Sequence, residues 1–323
     1  MVRLCSAVLA LLALIPAVGS AETWPSRPLT FVVSNGAGSS PDVMARLLAD
    51  RLGAVLGQAV IVENRVGASN IVGAMNVARA APDGYRLFFA TFPALTTNIF
   101  LVKDLPYDPV RDFVPVATIL RTTQLLVVNK SLSVDTLSGL IALERKNPGS
   151  LNIATDGPRN ATGMTAGALN QRAGTNFVSV VYPNIVNGLQ DVLSGRVPVG
   201  IFPIAIASPQ LAEGPIRALA VTSSDRLPNF PDIPPISDAY KDFDFSGWFM
   251  LSAPSGTPPD IVRKLNVAVD QAMRDKEIVE MAPRLGYQLD PAGVGSPDEA
   301  KAFLAGQIEL WHTTIEKLGL KPE

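Results

Sequence analysis

Residues 29–56 read LTFVVSNGAGSSPDVMARLLADRLGAVL, and the fold is decided by this stretch. It opens on five residues, 29–33, apolar or β-favouring, that suit a buried strand. It closes on Met44, Leu47, Leu48, Leu52 and Val55, whose spacings of three and four mark a helix burying one face. Between them lies a small, polar turn, so the unit is strand, turn, helix, the building block of an α/β fold.

The turn runs Ser34, Asn35, Gly36, Ala37, Gly38, Ser39, Ser40, Pro41, Asp42. Ser40 is suited to the N-cap, and Pro41 to the first helical position, where its missing donor is no loss. The small residues before them let backbone N–H groups approach an anion at the positive end of the helix dipole. A tight turn with an ordinary cap explains the same residues, so the turn alone leaves binding and plain capping both open. Gly36 and Gly38, with Glu63 at the end of the next strand, also nearly spell a dinucleotide fingerprint. Pro41 stands at its third glycine position, where a ring crowds the helix–strand contact, so a Rossmann oxidoreductase ranks second.

Outward from this unit the alternation continues. A strand over 59–63, a helix over 70–81 and a strand over 85–90 follow, which predicts a mostly parallel sheet with helices on both faces. The pattern restarts with a strand at 125–129, a helix at 136–146, a strand at 151–154, a helix at 162–172 and a strand at 177–182. Two similar lobes are expected. A strand at 217–222 and the proline-rich stretch 228–235 read as the return crossing to the first lobe, on which amphipathic C-terminal helices at 258–274 and 297–318 should pack. The expected division is 22–124 with 223–323 for lobe I and 125–222 for lobe II.

The 323 residues exceed the size of one comfortable core, and 47% hydrophobic content can fill two. A formal net charge of -2 leaves no basic surplus for phosphates, so no nucleic-acid partner is expected. Arg3, an apolar run over 4–18 and the small residues Gly19, Ser20 and Ala21 read as a signal peptide, 1–21, that sends the chain to the periplasm. The one cysteine, Cys5, falls in that leader, and the one histidine is His312. Disulfides, thiolate metal sites and a Ser-His-Asp hydrolase are therefore disfavoured, and no metal or cofactor is expected.

Open parallel sheets bind ligands outside the carboxyl ends of their strands. In the first lobe that points to Thr91 and Phe92 as well as the first turn. In the second it points to the turn of Asp156, Gly157, Pro158, Arg159 and Asn160, where Arg159 offers a carboxylate a bidentate partner. A solvated surface arginine is the alternative.

From Glu63 onward the chain resembles the tripartite tricarboxylate transporter receptors, also called Bug receptors. The resemblance is carried by Glu63-Asn64-Arg65 and by the run from Val77 to Tyr85, VARAAPDGY. It is carried further by 105–113, LPYDPVRDF, by 217–223, RALAVTS, by Trp248-Phe249 and by 253–258, APSGTP, with 24–28, WPSRP, at the mature start. It implies a two-lobed periplasmic-binding-protein type II fold, α/β, that closes over a small carboxylate ligand and delivers it to the membrane permease of a tripartite transporter, or to a sensor kinase. It implies a receptor and not an enzyme, and a monomer is expected. It places the ligand carboxylate on backbone groups, hydroxyls and ordered waters of the first loop, 34–42, with Ser34, Asn35, Gly36, Ala37, Gly38 and Ser39 as the candidate contacts, and of the turn at Thr91. The chain departs from the family pattern in that loop, where Ser39, Ser40 and Pro41 replace glycines and a threonine. The family's Pro-Tyr-Lys-Gly survives as Tyr182 alone, and an often acidic position is Phe202. Tyr182 and Phe202 are accordingly expected to give the second lobe an apolar wall.

Overall fold

The computed structural model describes residues 24–322; the expected leader, with Cys5, lies outside them. The strand that opens the deciding stretch, β1 (Leu29–Val33), pairs in parallel with both β2 (Val60–Asn64) and β3 (Arg86–Thr91). The two-residue period of these strands sorts their side chains cleanly. Phe31, Val33, Leu87 and Phe89 meet Met44, Leu48 and Leu52 of the Ser40–Leu56 helix and Leu265 and Val269 of the Pro259–Met273 helix. Val32, Phe88 and Ala90 point to the opposite face, against Val77, Trp248 and Trp311. Both faces of the sheet are thus covered by helices, which is why its strands read as continuous apolar runs.

The first sheet has the order β11-β4-β10-β3-β1-β2, with β4 at Phe113–Thr122, β10 at Gly247–Pro254 and β11 at Tyr287–Gln288. The second has the order β7-β6-β8-β5-β9, with β5 at Gln124–Asn129, β6 at Asn152–Thr155, β7 at Val178–Val181, β8 at Val199–Pro203 and β9 at Ile216–Val221. The fold is α/β with two lobes of the same design. In each, a strand that has just arrived from the other sheet runs against its parallel neighbours. β5 is antiparallel to β8 and β9, and β10 is antiparallel to β3 and β4. The second alternation is present in chain order, β5, the Leu137–Lys146 helix and β6, but β5 does not pair in parallel with β6 and instead inserts antiparallel between β8 and β9.

The chain passes from the first sheet to the second at Thr123, between β4 and β5, and returns after β9. The two passages are tied to each other. Gln124 N donates to Thr222 Oγ1 at 3.0 Å, and Thr222 N donates to the Gln124 carbonyl at 3.1 Å. The proline-rich return runs mostly exposed but is pinned by Leu227, buried against the core of the second sheet, and by Ile236, buried in the core it shares with the first.

Candidate functional site

The first loop leaves β1 and enters the Ser40–Leu56 helix. Its N-cap is Ser39, one residue before the expected Ser40, and the Ser39 side chain caps nothing. Asp42 does that work: it accepts from Gly38 N at 2.8 Å while Arg46 and Asn64 hold its two oxygens. Burial opposes the charge of Asp42, but these bonds outweigh it and hold its carboxyl below the usual range. Gly38 sits at φ +77°, a left-handed conformation that favours glycine. With its N–H committed to Asp42 and that of Ser39 to the Gly36 carbonyl, these two donors are internal.

What the loop does leave open is the Ser39 hydroxyl. Ser39 is 3% exposed and its Oγ has no hydrogen-bond partner among the described residues. A buried hydroxyl without a partner costs about 1–3 kcal/mol, so something outside the chain is the natural acceptor or donor for it. It looks into a cavity of about 60 Å³ between the two sheets.

Every strand that reaches this cavity does so at the end the topology dictates. Asn35 follows β1, Thr91 ends β3 and Phe92 follows it, Thr122 ends β4, Asp156 and Asn160 follow β6, and Pro203 ends β8. The two antiparallel strands contribute their beginnings, Gln124 from β5, and Trp248 and Phe249 from β10, where Phe249 lies opposite Thr91. Phe92 is fixed by stacking on Trp311 at 4.7 Å. The structure thus brings Asn35, Ser39, Thr91, Phe92, Asp156 and Asn160 around one cavity.

Seven other expected residues are placed differently. Ser34 is buried beside the cavity and donates to Asn70 Oδ1 at 2.9 Å. Gly36 and Ala37 face the other lobe: a side chain at Gly36 would meet Asn184 at 2.7 Å, and the Ala37 carbonyl accepts from Asn184 Nδ2 at 3.4 Å. Gly38 is the cap donor described above. Arg159 is not among the residues that line the cavity; its carbonyl accepts from Thr97 Oγ1 at 3.4 Å. Tyr182 and Phe202 do not form a wall. Tyr182 turns back over Gly188 and donates its hydroxyl to Asp191 at 2.7 Å. Phe202 is fully buried in the core of the second lobe, because β8 alternates: Val199 and Ile201 point to one face, and Phe202 to the other, under Leu189 and Val192 of the Ile185–Leu193 helix. Pro203, one residue later, reaches the cavity instead.

The residue that sequence reasoning missed most is Asn70. It follows Ala68 and Ser69, and all three hold positive φ, a run of left-handed backbone that is costly without glycine. That turn drives Asn70 into the cleft, where its Nδ2 donates to Asn160 Oδ1 of the opposite lobe at 2.9 Å. Asn160 in turn donates to the Asp156 carbonyl. The GASN string at 67–70 was the available signal. With Asn70–Asn160, Thr97–Arg159 and Asn184–Ala37 in place, the lobes touch across the cleft, and the cavity falls below the ~300 Å³ of an ordinary ligand pocket.

Asp156 is the one ionisable residue among the described residues lining the cavity. Its Oδ1 accepts from Thr162 N, Thr162 Oγ1 and Gly163 N at the start of the Ala161–Ala173 helix. Desolvation nevertheless dominates and pushes its carboxyl up to about 6. Glu63, the ribose contact a dinucleotide site would need, is paired with Arg65 and Arg86. Among the described residues no group of His, Cys, Asp and Glu is gathered to hold a metal ion. A larger apolar depression of about 480 Å³ lies behind the crossing strands, lined by Leu227, Tyr287 and Leu289. Of its charged members, Asp270 and Arg274 are paired with each other and Asp290 accepts from Ala292 N, and none of its described lining residues carries a buried polar atom without a partner, as Ser39 does in the cleft.

Comparison with known proteins agrees with this arrangement. BugT of Bordetella pertussis is 34% identical over 308 residues, covering 94% of this chain and 92% of that protein. A Rhodopseudomonas palustris protein solved with adipate superposes with a TM-score of 0.88 at 31% identity, covering 93% of this chain and all of that one. MatC of the same organism, solved with bound malate, superposes with a TM-score of 0.84 at 30% identity, covering 90% of this chain and all of that one. The pattern described as tripartite tricarboxylate transporter family receptor matches residues 44–320. A chain with this topology, this cleft and this match belongs to the tripartite tricarboxylate transporter receptor family.

Proposed function

We propose that this chain is an extracytoplasmic receptor that captures one small carboxylate-bearing ligand by closing two lobes, 22–124 with 223–323 and 125–222, and hands it to a tripartite-type membrane permease. The observation that carries the reading is the buried, unpartnered Ser39 hydroxyl at the start of the Ser40–Leu56 helix. A carboxylate oxygen there accepts from Ser39 and meets the positive end of the helix dipole, so the anion is held without a cationic side chain. Thr91, whose hydroxyl caps nothing, and the Asn35 amide stand on the same side of the cavity as further donors. Adipate and malate in the two structural relatives support a carboxylate as the ligand class. The expected leader supports export to the periplasm, where such a receptor meets its permease.

Titration calorimetry with small organic acids, followed by recovery of the acid, tests this reading. One acid per chain should bind and return chemically unchanged. Ser39→Ala should weaken binding by ~0.5–1.5 kcal/mol, one hydrogen bond's worth, without lowering the melting temperature, since the hydroxyl supports nothing inside the protein. Turnover of the acid, or full affinity in Ser39→Ala, would contradict it.

A further inference from the structure

Asp156 is an odd residue to find in a site for anions. The cavity offers it no counter-charge. Arg159, three residues on, is not among the lining residues, and Arg46 across the cleft is occupied by Asp42 and Asn64. A ligand carboxylate at Ser39 already places two negative charges in one enclosed space, and a dianion would place three. Such charges are expensive when water is excluded and nothing compensates them.

The geometry of Asp156 points to what does compensate. Its Oδ1 is saturated by three donors from Thr162 and Gly163, while its Oδ2 makes no hydrogen bond among the described residues. The neighbouring Asn160 cannot serve as the second-lobe contact so readily, because its Oδ1 is taken by Asn70 and its amide donates to the Asp156 carbonyl. We propose that Asp156 Oδ2 selects the ligand class: it takes a hydrogen bond from a donor, ammonium or hydroxyl, carried at the far end of a monocarboxylate, and it turns dicarboxylate dianions away. The inference rests on the carboxylate reading of the cleft. Carboxylate at Ser39 and donor at Asp156 then span the two lobes, so a ligand with both ends bridges them as they close.

Asp156→Asn is the discriminating variant. Asparagine keeps an oxygen for the Thr162 and Gly163 donors and replaces Oδ2 by an amide that donates. Wild type and Asp156→Asn are titrated with butyrate, 4-hydroxybutyrate, 4-aminobutyrate and succinate, and with the matching six-carbon set. In the wild type the amino or the hydroxy acid should bind at least about tenfold tighter than the plain acid and the dicarboxylate, the size of one charge-assisted hydrogen bond. In Asp156→Asn that advantage should disappear and the dicarboxylate should gain. A larger loss for the amino acid than for the hydroxy acid identifies ammonium as the donor; the reverse identifies hydroxyl. A wild type that prefers the dicarboxylate, with the same ranking in Asp156→Asn, would overturn the inference and leave the carboxylate reading standing. Failure of every acid to bind either protein would overturn the carboxylate reading and the inference with it.

Discussion

A carboxyl held up to about 6 by desolvation makes Asp156 a liability to the empty protein. In the unfolded chain the group ionises near the ordinary 3.8, so between that value and about 6 the folded state binds the extra proton. Stability from this group is therefore full in acid and falls as pH rises through that window. Asp156→Asn, which cannot ionise, should melt at the wild-type temperature near pH 3.5 and above it at pH 8; thermal unfolding across that range checks it, and an equal or lower melting temperature at pH 8 would contradict the account. The Ser39 hydroxyl makes the matching point on the other lobe, a buried polar atom without a partner. Residues of this kind were legible in the sequence as types in turns, Ser39, Thr91 and Asp156 among them, because small polar residues after strands have few other roles. Their individual roles were not, since nothing in the sequence says which hydroxyl caps a helix and which is left bare. Ser40 and Asp42 show this: the cap passes to a carboxylate two residues past the serine that invites it.

Element by element, the alternating first half of each lobe could be read because its strands are apolar runs between turn signals and its helices carry a clear period. β4, β8 and β10 could not. β4 holds Pro115 and β8 ends in Pro203, and short apolar runs are as compatible with a buried helix as with a strand. Missing β8 also misplaced Phe202, whose face is set by strand phase: it packs on the helix side, with its ring lying over Gly200. Phe202→Ala should accordingly cost ~3–5 kcal/mol of stability, read by chemical denaturation, with the loss of a core side chain. A well-folded Phe202→Ala with altered ligand preference would return that residue to the cleft. The first loop yields the opposite test. A side chain at Gly36 would run into Asn184 of the other lobe, so Gly36→Val should wedge the lobes apart while leaving each lobe's core intact. The expected result is an affinity loss of about tenfold or more, a larger radius of gyration in scattering at saturating acid, and a melting temperature close to wild type; unchanged compaction would show that this loop does not meet the second lobe on closure.

At the scale of the molecule, the second sheet repeats the order of five strands of the first, which adds β11 at its edge, and each receives its antiparallel strand from the chain crossing over from its partner. The crossings are narrow, a Thr123 junction and the return after β9, and they are bonded to each other through Gln124 and Thr222. Under the closure proposed above, these bonded crossings are where the hinge would lie. Length, hydrophobic content and the restart of the alternation made two lobes visible in the sequence. The closed contact did not show there, because it depends on side chains far apart in the chain, such as Asn70 and Asn160. The proposed function places a small acid in the cleft at Ser39. A crystal structure of the protein grown with an acid that binds in solution tests it most directly. The acid should lie between the lobes, with a carboxylate oxygen ~2.5–3.0 Å from Ser39 Oγ. An acid seated instead in the depression by Tyr287 and Leu289, with Ser39 still unpartnered, would contradict it.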